Sequence, residues 1–263
     1  MMSKLTPEDV VLRYSKRGMN ILKKYLKDGY CRTAAEKLLH AERGTVLLTT
    51  GFYVAGYAET DGPLGTVAVA EALNHLGFHS VVVTDKYCKG FFELKQLDVE
   101  YVDIAADEQV YEDILDKYNP VYMISIERCG ENAEHEYANM RGVSITSETA
   151  AIDHLFELAP EKHIPTIGVG DGGNEIGMGN VKDIISEKLE LNPCVVPVDD
   201  LIIATTSNWG AYALTAWLQK LSGEEVLFTY EEAEPYLAAT LEIGSVDGVL
   251  KEKKMGEDGF DMT

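Results

Sequence analysis

Short runs of apolar residues alternate along most of the chain with longer stretches in which apolar residues recur every three or four positions. The short runs predict strands at 45–50, 80–84, 99–104, 121–126, 166–169 and 201–205. The longer stretches predict helices at 65–76, 108–118, 148–158, 210–221 and 231–243. Near-continuous apolar strands separated by amphipathic helices are typical of a parallel sheet. We therefore predict an α/β fold, a Rossmann-like, open and mostly parallel sheet of about six strands with helices on both faces.

The first part of the chain follows the helical period alone. Thr6 followed by Pro7 is typical of a helix start, and apolar residues recur at helical spacing from there to about His40. We predict that residues 1–43 form a helical leader packed on a single α/β catalytic domain, 44–263. The polar stretch at the C-terminus is predicted to form no core of its own.

The charge of the chain limits its partners. Asp and Glu number 44 against 23 Lys and Arg, a formal net charge of −21. Such a surface repels phosphate backbones and anionic membranes, so we expect a small-molecule partner rather than nucleic acid or a membrane. A homo-oligomer is compatible with the sequence, because many α/β enzymes associate through helices.

Cysteine usage and the N-terminus bear on the compartment. The four cysteines lie far apart and form no CxxC pair, which favours reduced thiols over a disulfide framework. No apolar run reaches membrane-spanning length, and MMSKLTPEDVVLRY has neither an apolar signal core nor the composition of a transit peptide. We therefore expect a cytoplasmic protein.

The unusual loops follow the predicted strands, where ligands bind in open parallel sheets. Their candidate site residues are Asp61, Asp85, Glu127, Arg128, Arg141 and Asn208. Each has a structural alternative. Asp61 could cap the next helix, and Asp85 could be a turn aspartate. Glu127 and Arg128 could form a structural ion pair.

The stretch 167–180, IGVGDGGNEIGMGN, contains six glycines around Asp171, Asn174 and Glu175. Its GxGxxG matches a dinucleotide fingerprint only by letter, since that fingerprint opens the first βα unit and leads directly into a helix. Here it follows the fifth predicted strand, and no GxxxxGK[ST] occurs. We expect no nucleotide. A pocket lined by backbone amides and carboxylates fits the stretch better.

Together these loops resemble the D-glutamate cyclase family. The matching stretches are TTGFYVAGYAETDGPLGTVAVAEAL, VVVTD, SIERCG, YANMRGVSI, PTIGVGDGGNEIGMGNV, TSNWGAYAL and SVDGV. The similarity runs from about Gly44 to the end, and GDGGNEIGMGN is its most specific part. In vertebrates the similar domain is the C-terminal part of a longer mitochondrial protein, so this chain looks like a stand-alone version. The resemblance implies a hydro-lyase that cyclises D-glutamate to 5-oxo-D-proline and water.

The chemistry of that reaction assigns roles to matching positions. One carboxylate of Asp171, Glu175 and Glu127 would take the proton of the α-amine. Arg141 or Arg128 would grip the α-carboxylate by a bidentate contact.

The negative charge on the oxygens of the γ-carboxylate must be stabilised as its carbon becomes tetrahedral. That stabilisation would come from the amides of Gly172 and Gly173, or from a divalent cation, Mg²⁺ or Mn²⁺, on Asp61 and Asp171. The many acids favour the cation slightly. The side chains of Asn174 and Asn208 would orient substrate oxygens. Two rival functions stay open: a nucleotide-dependent enzyme (an NAD oxidoreductase or an ATP-using ligase), and a non-catalytic amino-acid sensor.

Overall fold

A six-stranded parallel sheet forms the centre of the computed structural model, which describes residues 5–262. Its strands are β1 Thr45–Thr49, β2 His79–Thr84, β3 Asp98–Tyr101, β4 Tyr122–Ile126, β5 Thr166–Gly170 and β6 Asp200–Ile203. They lie in the order β3-β2-β1-β4-β5-β6, and every neighbouring pair is parallel. The order reverses between β1 and β4, which is the switch point at which open α/β sheets bind ligands. The predicted fold class is confirmed.

Helices surround this sheet. Within the described residues they are α1 Pro7–Val11, α2 Met19–Leu22, α3 Tyr30–His40, α4 Pro63–His75, α5 Glu108–Tyr118, α6 His154–Lys162, α7 Lys182–Leu189, α8 Ser207–Ser222 and α9 Tyr230–Ile243. Helix α8 packs on both α3 and α4, and α5 packs on α6. Because crossovers between parallel strands are right-handed, α4 and the α5–α6 pair cover opposite faces.

One helix prediction needs correction, and one helix was not predicted. The predicted helix 148–158 begins only at His154, after a short 3₁₀ turn at Thr146–Glu148. The segment between them is held by tertiary hydrogen bonds, since Arg128 donates to the carbonyl of Ala150 at 2.7 Å. Helix α7 was not predicted, because the glycines before it suggested that no helix could follow directly. The chain first makes a 3₁₀ turn at Met178–Val181 and then continues into α7.

The N-terminal helices share the main hydrophobic core with the sheet. Tyr30 in α3 donates its hydroxyl to the carbonyl of Ile203 at 3.1 Å, and Trp217 in α8 donates to Glu8 at 3.1 Å. The loop between α1 and α2 carries Arg17 to the carboxyl ends of the strands. A domain boundary at residue 44 stays a prediction, and residues 1–4 of the predicted leader lie outside the described residues.

The polar C-terminal stretch folds back onto the sheet edge. Two short antiparallel strands, Gly256–Glu257 and Phe260–Asp261, form a hairpin. The ring of Phe260 packs on Trp209 with centroids 5.1 Å apart. This C-terminal hairpin (256–261) therefore lies against the first turn of α8. No helix between residues 5 and 262 has the length and apolar character that a membrane span requires.

Candidate active site

The glycine-rich stretch folds around its own glutamate. Glu175 is fully buried, and its carboxylate accepts the backbone N–H groups of Asp171 at 2.9 Å, Gly172 at 2.5 Å and Gly173 at 2.6 Å. Gly173 adopts φ +112°, a conformation that favours glycine. The amides of Gly172 and Gly173 thus donate to Glu175 in this structure, and the oxyanion hole expected from them stays a prediction. As placed, this carboxylate organises the loop.

Asp61 and Asn208 tie two helix N-termini together. The Asp61 carboxylate accepts the N–H groups of Ser207 at 2.8 Å and Asn208 at 2.7 Å, in the first turn of α8. In return, Asn208 Oδ1 accepts the N–H groups of Gly62 at 2.9 Å and Gly65 at 2.6 Å, at the start of α4. Asp61 thus caps α8 rather than the helix that follows it in sequence. The sequence pattern could not reveal this, since the two residues lie far apart along the chain.

The remaining polar group of Asn208 is also engaged. Its Nδ2 donates to the carbonyl of Thr60 at 3.1 Å and to the Glu257 carboxylate. As placed, the side chain that was predicted to orient substrate oxygens instead holds the C-terminal hairpin against α8.

Arg128 pairs with Asp85, another of the candidates from the sequence. Its guanidinium is fully buried and donates to Asp85 at 2.7 Å and to the carbonyl of Gly51 at 2.7 Å. The structural ion pair predicted for Arg128 is thus formed with Asp85 rather than with Glu127. The geometry places Arg128 in an internal network that joins the loops after β1, β2 and β4.

The other acids gather at the switch point around a cation from the leader. Arg17 Nη1 lies 2.6 Å from Asp171 Oδ1 and also contacts the carboxylate of Asp258. Burial lowers the pKa of Arg17, but the carboxylates of Asp171 and Asp258 outweigh it and raise that pKa. No sequence signal pointed to Arg17, because it lies in the leader, outside the matching motifs. We call Asp61, Glu127, Asp171 and Asp258, together with Arg17, the acid cluster.

Burial governs the protonation of the acid cluster. Burial raises the pKa of Glu127 well above its usual range, and the carboxylates of Glu175 and Asp61 raise it further. Burial and Glu127 likewise raise the pKa of Asp171, against the opposing effect of Arg17. The Glu127 carboxylate accepts the hydroxyl of Ser207. Because a buried anion is unfavourable, Glu127 and Asp171 retain protons at a higher pH than ordinary carboxyl groups.

A cavity of about 340 Å³ opens beside the acid cluster. Of the candidates from the sequence, Glu127, Arg141 and Asn174 line it. Arg17, Glu59, Lys251 and Asp258 also line it, and sequence reasoning missed all four. Asp61, Arg128, Asp171, Gly172, Gly173, Glu175 and Asn208 do not line it. Of the four residues that sequence reasoning missed, only Asp258 had a signal in the sequence, because it belongs to an acidic stretch that also contains glycine, Gly256-Glu257-Asp258.

Larger cavities of 790 and 820 Å³ lie elsewhere on the molecule. One is lined by residues at the amino ends of β4, β5 and β6, including Tyr122, Thr166 and Asp200. The smaller cavity is the better candidate site, because it lies at the carboxyl edge of the sheet and beside buried carboxyl groups with raised pKa values.

Comparisons with known proteins agree on one family. A family model described as D-glutamate cyclase-like, C-terminal, matches residues 8–263. The human protein named D-glutamate cyclase, mitochondrial, is 34% identical over 212 residues, which are 70% of this chain and 34% of that protein. The chain thus spans 34% of the length of this relative.

Similar solved structures share far less. The UDP-glucose 4-epimerase from Brucella ovis in complex with NAD is 16% identical, with 56% of this chain and 49% of that chain covered and a TM-score of 0.33. A glycosyltransferase from Rickettsia africae is 14% identical, with 62% and 42% covered and a TM-score of 0.31. Similarity at this level carries no argument about function.

The half-buried Glu257 leads to a prediction about stability. Burial raises its pKa from 4.5 to about 7. Between pH 4.5 and 7 the folded state therefore keeps a proton that the unfolded state has released, so stability falls as the pH rises. We expect Glu257→Gln to remove this contribution, which amounts to at most about 1.4 kcal/mol per pH unit.

Urea unfolding at several pH values measures this effect. The Gln variant should lose stability less steeply than the wild type as the pH rises. Glu161→Gln, at an exposed position on α6, is the matched control and should keep the wild-type slope. Parallel curves for the Glu257 variant and the wild type would contradict the raised pKa.

Proposed function

The chain belongs to the D-glutamate cyclase-like family, and we propose that it cyclises D-glutamate to 5-oxo-D-proline with release of water, as a carbon–oxygen lyase. One observation carries the proposal within the structure. Glu127, a buried carboxyl with a raised pKa, lines a cavity that arginines also line. That combination suits a substrate with two carboxylates and one amine.

The proton balance of the reaction requires such a group. The α-ammonium of D-glutamate loses two protons as it becomes the lactam N–H, and the departing γ-oxygen gains two as it leaves as water. A single carboxyl that alternately accepts and returns a proton near neutral pH can serve both transfers. We assign this role to Glu127, because burial raises its pKa above that of an ordinary glutamate and because it lines the cavity. The Ser207 hydroxyl fixes the orientation of its carboxyl group.

Cations at the cavity would hold the substrate. Arg141 lines the cavity and has no ion-pair partner in the part of the chain that the structure describes. We assign it the α-carboxylate, by the bidentate contact that guanidinium groups favour. Arg17 already pairs with acids of the cluster and would contribute its positive charge without leaving them. Binding at both ends would select the curled conformer in which the amine meets the γ-carboxyl carbon.

The acid cluster also has a donor set for a divalent cation, Mg²⁺ or Mn²⁺. Carboxylate oxygens of Asp61, Asp171 and Asp258 lie within 4.8 Å of one another. Asp171 Oδ2 is buried and has no hydrogen-bond partner among residues 5–262. An all-oxygen set of this kind fits these hard cations. When bound, the cation would supply positive charge for the γ-carboxylate.

The central functional prediction concerns Glu127. We expect Glu127→Gln to fold normally and to lose about 10²- to 10⁴-fold in kcat, the usual contribution of a general acid–base group. Mass spectrometry of 5-oxoproline formed from D-glutamate, with L-glutamate in parallel, measures it. Glu161→Gln on the surface of α6 is the matched control. Wild-type turnover by the Glu127 variant would exclude Glu127 as the proton carrier, and no product from the wild type would exclude the proposed reaction.

The cation proposal makes a separate prediction. Dialysis against a chelator should lower the rate of D-glutamate cyclisation, and added Mn²⁺ or Mg²⁺ should restore it, because the acid cluster would otherwise repel a doubly anionic substrate. An Asp171→Asn variant should bind Mn²⁺ more weakly in a calorimetric titration. Full activity after chelation, together with no measurable Mn²⁺ binding, would reject the cation.

A further inference from the structure

One wall of the cavity is apolar, although glutamate has little apolar surface to bury. Phe52 and Ile145 belong to a small hydrophobic cluster that is separate from the main core, and Tyr53 and Val54 pack against it. All four side chains line the cavity. Val143, also in the lining, is 57% exposed. This apolar wall (52–54, 143 and 145) comes from the loop after β1 and the loop after β4, beside the acid cluster.

The cavity is also larger than glutamate requires. Water occupies about 30 Å³ per molecule in the liquid, so the cavity of about 340 Å³ holds roughly eleven waters. Glutamate has about ten non-hydrogen atoms, and because these are bonded to one another they fill much less space than separate waters. Room therefore remains beside the apolar wall once glutamate is bound.

We propose that the site accepts D-glutamates whose γ-carboxyl is joined to an apolar amine, the γ-D-glutamyl amides, with the amine substituent seated on the apolar wall. This inference rests on the proposed function and names a substrate class for the same site. Ring closure then expels an amine in place of water.

A neutral γ-carbonyl requires less from this cavity than a free γ-carboxylate does. Three carboxylic side chains, those of Glu59, Glu127 and Asp258, line the cavity, and Arg17 in the same lining already pairs with Asp171 and Asp258. A free γ-carboxylate would bring a negative charge that needs a cation of its own, whereas an amide carbonyl brings none. The amide carbonyl is also a better electrophile than a carboxylate anion.

The step balances without any further reactant. The neutral α-amine attacks the γ-carbonyl carbon, forming the lactam C–N bond. The protonated Glu127 carboxyl gives its proton to the nitrogen of the leaving amine as the original C–N bond breaks. The lactam nitrogen returns its surplus proton to Glu127, and the products are 5-oxo-D-proline and the free amine.

The experiment compares free D-glutamate with its γ-methylamide and γ-benzylamide, measuring 5-oxoproline and released amine by mass spectrometry. Both amides have the same bond, but only the benzyl group reaches the apolar wall. We expect kcat/KM for the benzylamide to exceed that for the methylamide by about tenfold or more. Val143→Ser should lower this ratio, since it removes apolar surface at an exposed position. Leu227→Ser, at an exposed apolar residue that does not line the cavity, should leave the ratio unchanged.

The outcomes separate this inference from the proposed function. Cyclisation of D-glutamate with no amine released from either amide overturns the inference and leaves the proposed function standing. Equal kcat/KM for the two amides, or a ratio that Val143→Ser does not change, also overturns it. If the benzylamide gives product and free D-glutamate gives none, the inference is supported, and the amide rather than the free acid is the substrate. No product from any of the three overturns both.

Discussion

The structure depends on burying several carboxylates at one place with little positive charge. Each carboxylate is accommodated differently. Glu175 accepts three loop amides, Asp61 accepts the first amides of α8, and Asp171 pairs with Arg17. Glu127 has only a serine hydroxyl. Because its anion is stabilised least among these four, Glu127 is the one of them best suited to carry a proton, and of these four it alone lines the cavity.

The same constraint explains why the α1–α2 loop and the C-terminal hairpin meet at the carboxyl edge of the sheet. The leader supplies the guanidinium of Arg17, and the C-terminal hairpin supplies Glu257 and Asp258. Glu257 accepts Asn208 and the indole N–H of Trp209, the latter at 2.6 Å, and so secures the hairpin on α8. Neither segment is an accessory to the sheet. Without these two segments the acid cluster would lose the guanidinium of Arg17 and the carboxylate of Asp258.

Much of the fold was predictable, because apolar periodicity is a local property and parallel strands are almost wholly apolar. The six strands and the edge at which the loops converge follow from that pattern. The hydrogen-bond and ion-pair partners of the loop residues could not be predicted from that pattern, since they depend on contacts between segments that are distant in the sequence. Asp61 and Asn208 were recognised as special, but the sequence did not show that Asp61 accepts N–H groups at the start of α8 and Asn208 accepts them at the start of α4. Arg17 had no motif around it, and Glu175 could not be distinguished from a catalytic acid until its amide partners were known.

The central claim is that burial disfavours the anion of Glu127, so that its carboxyl group keeps its proton to a higher pH than an ordinary glutamate does. Infrared difference spectroscopy of the wild type against Glu127→Gln over a series of pH values tests this most directly. The account predicts a carboxylic-acid C=O stretch that the variant lacks and that persists well above the ordinary glutamate pKa of about 4.3. A band that gives way to a carboxylate band in that ordinary range would contradict the account.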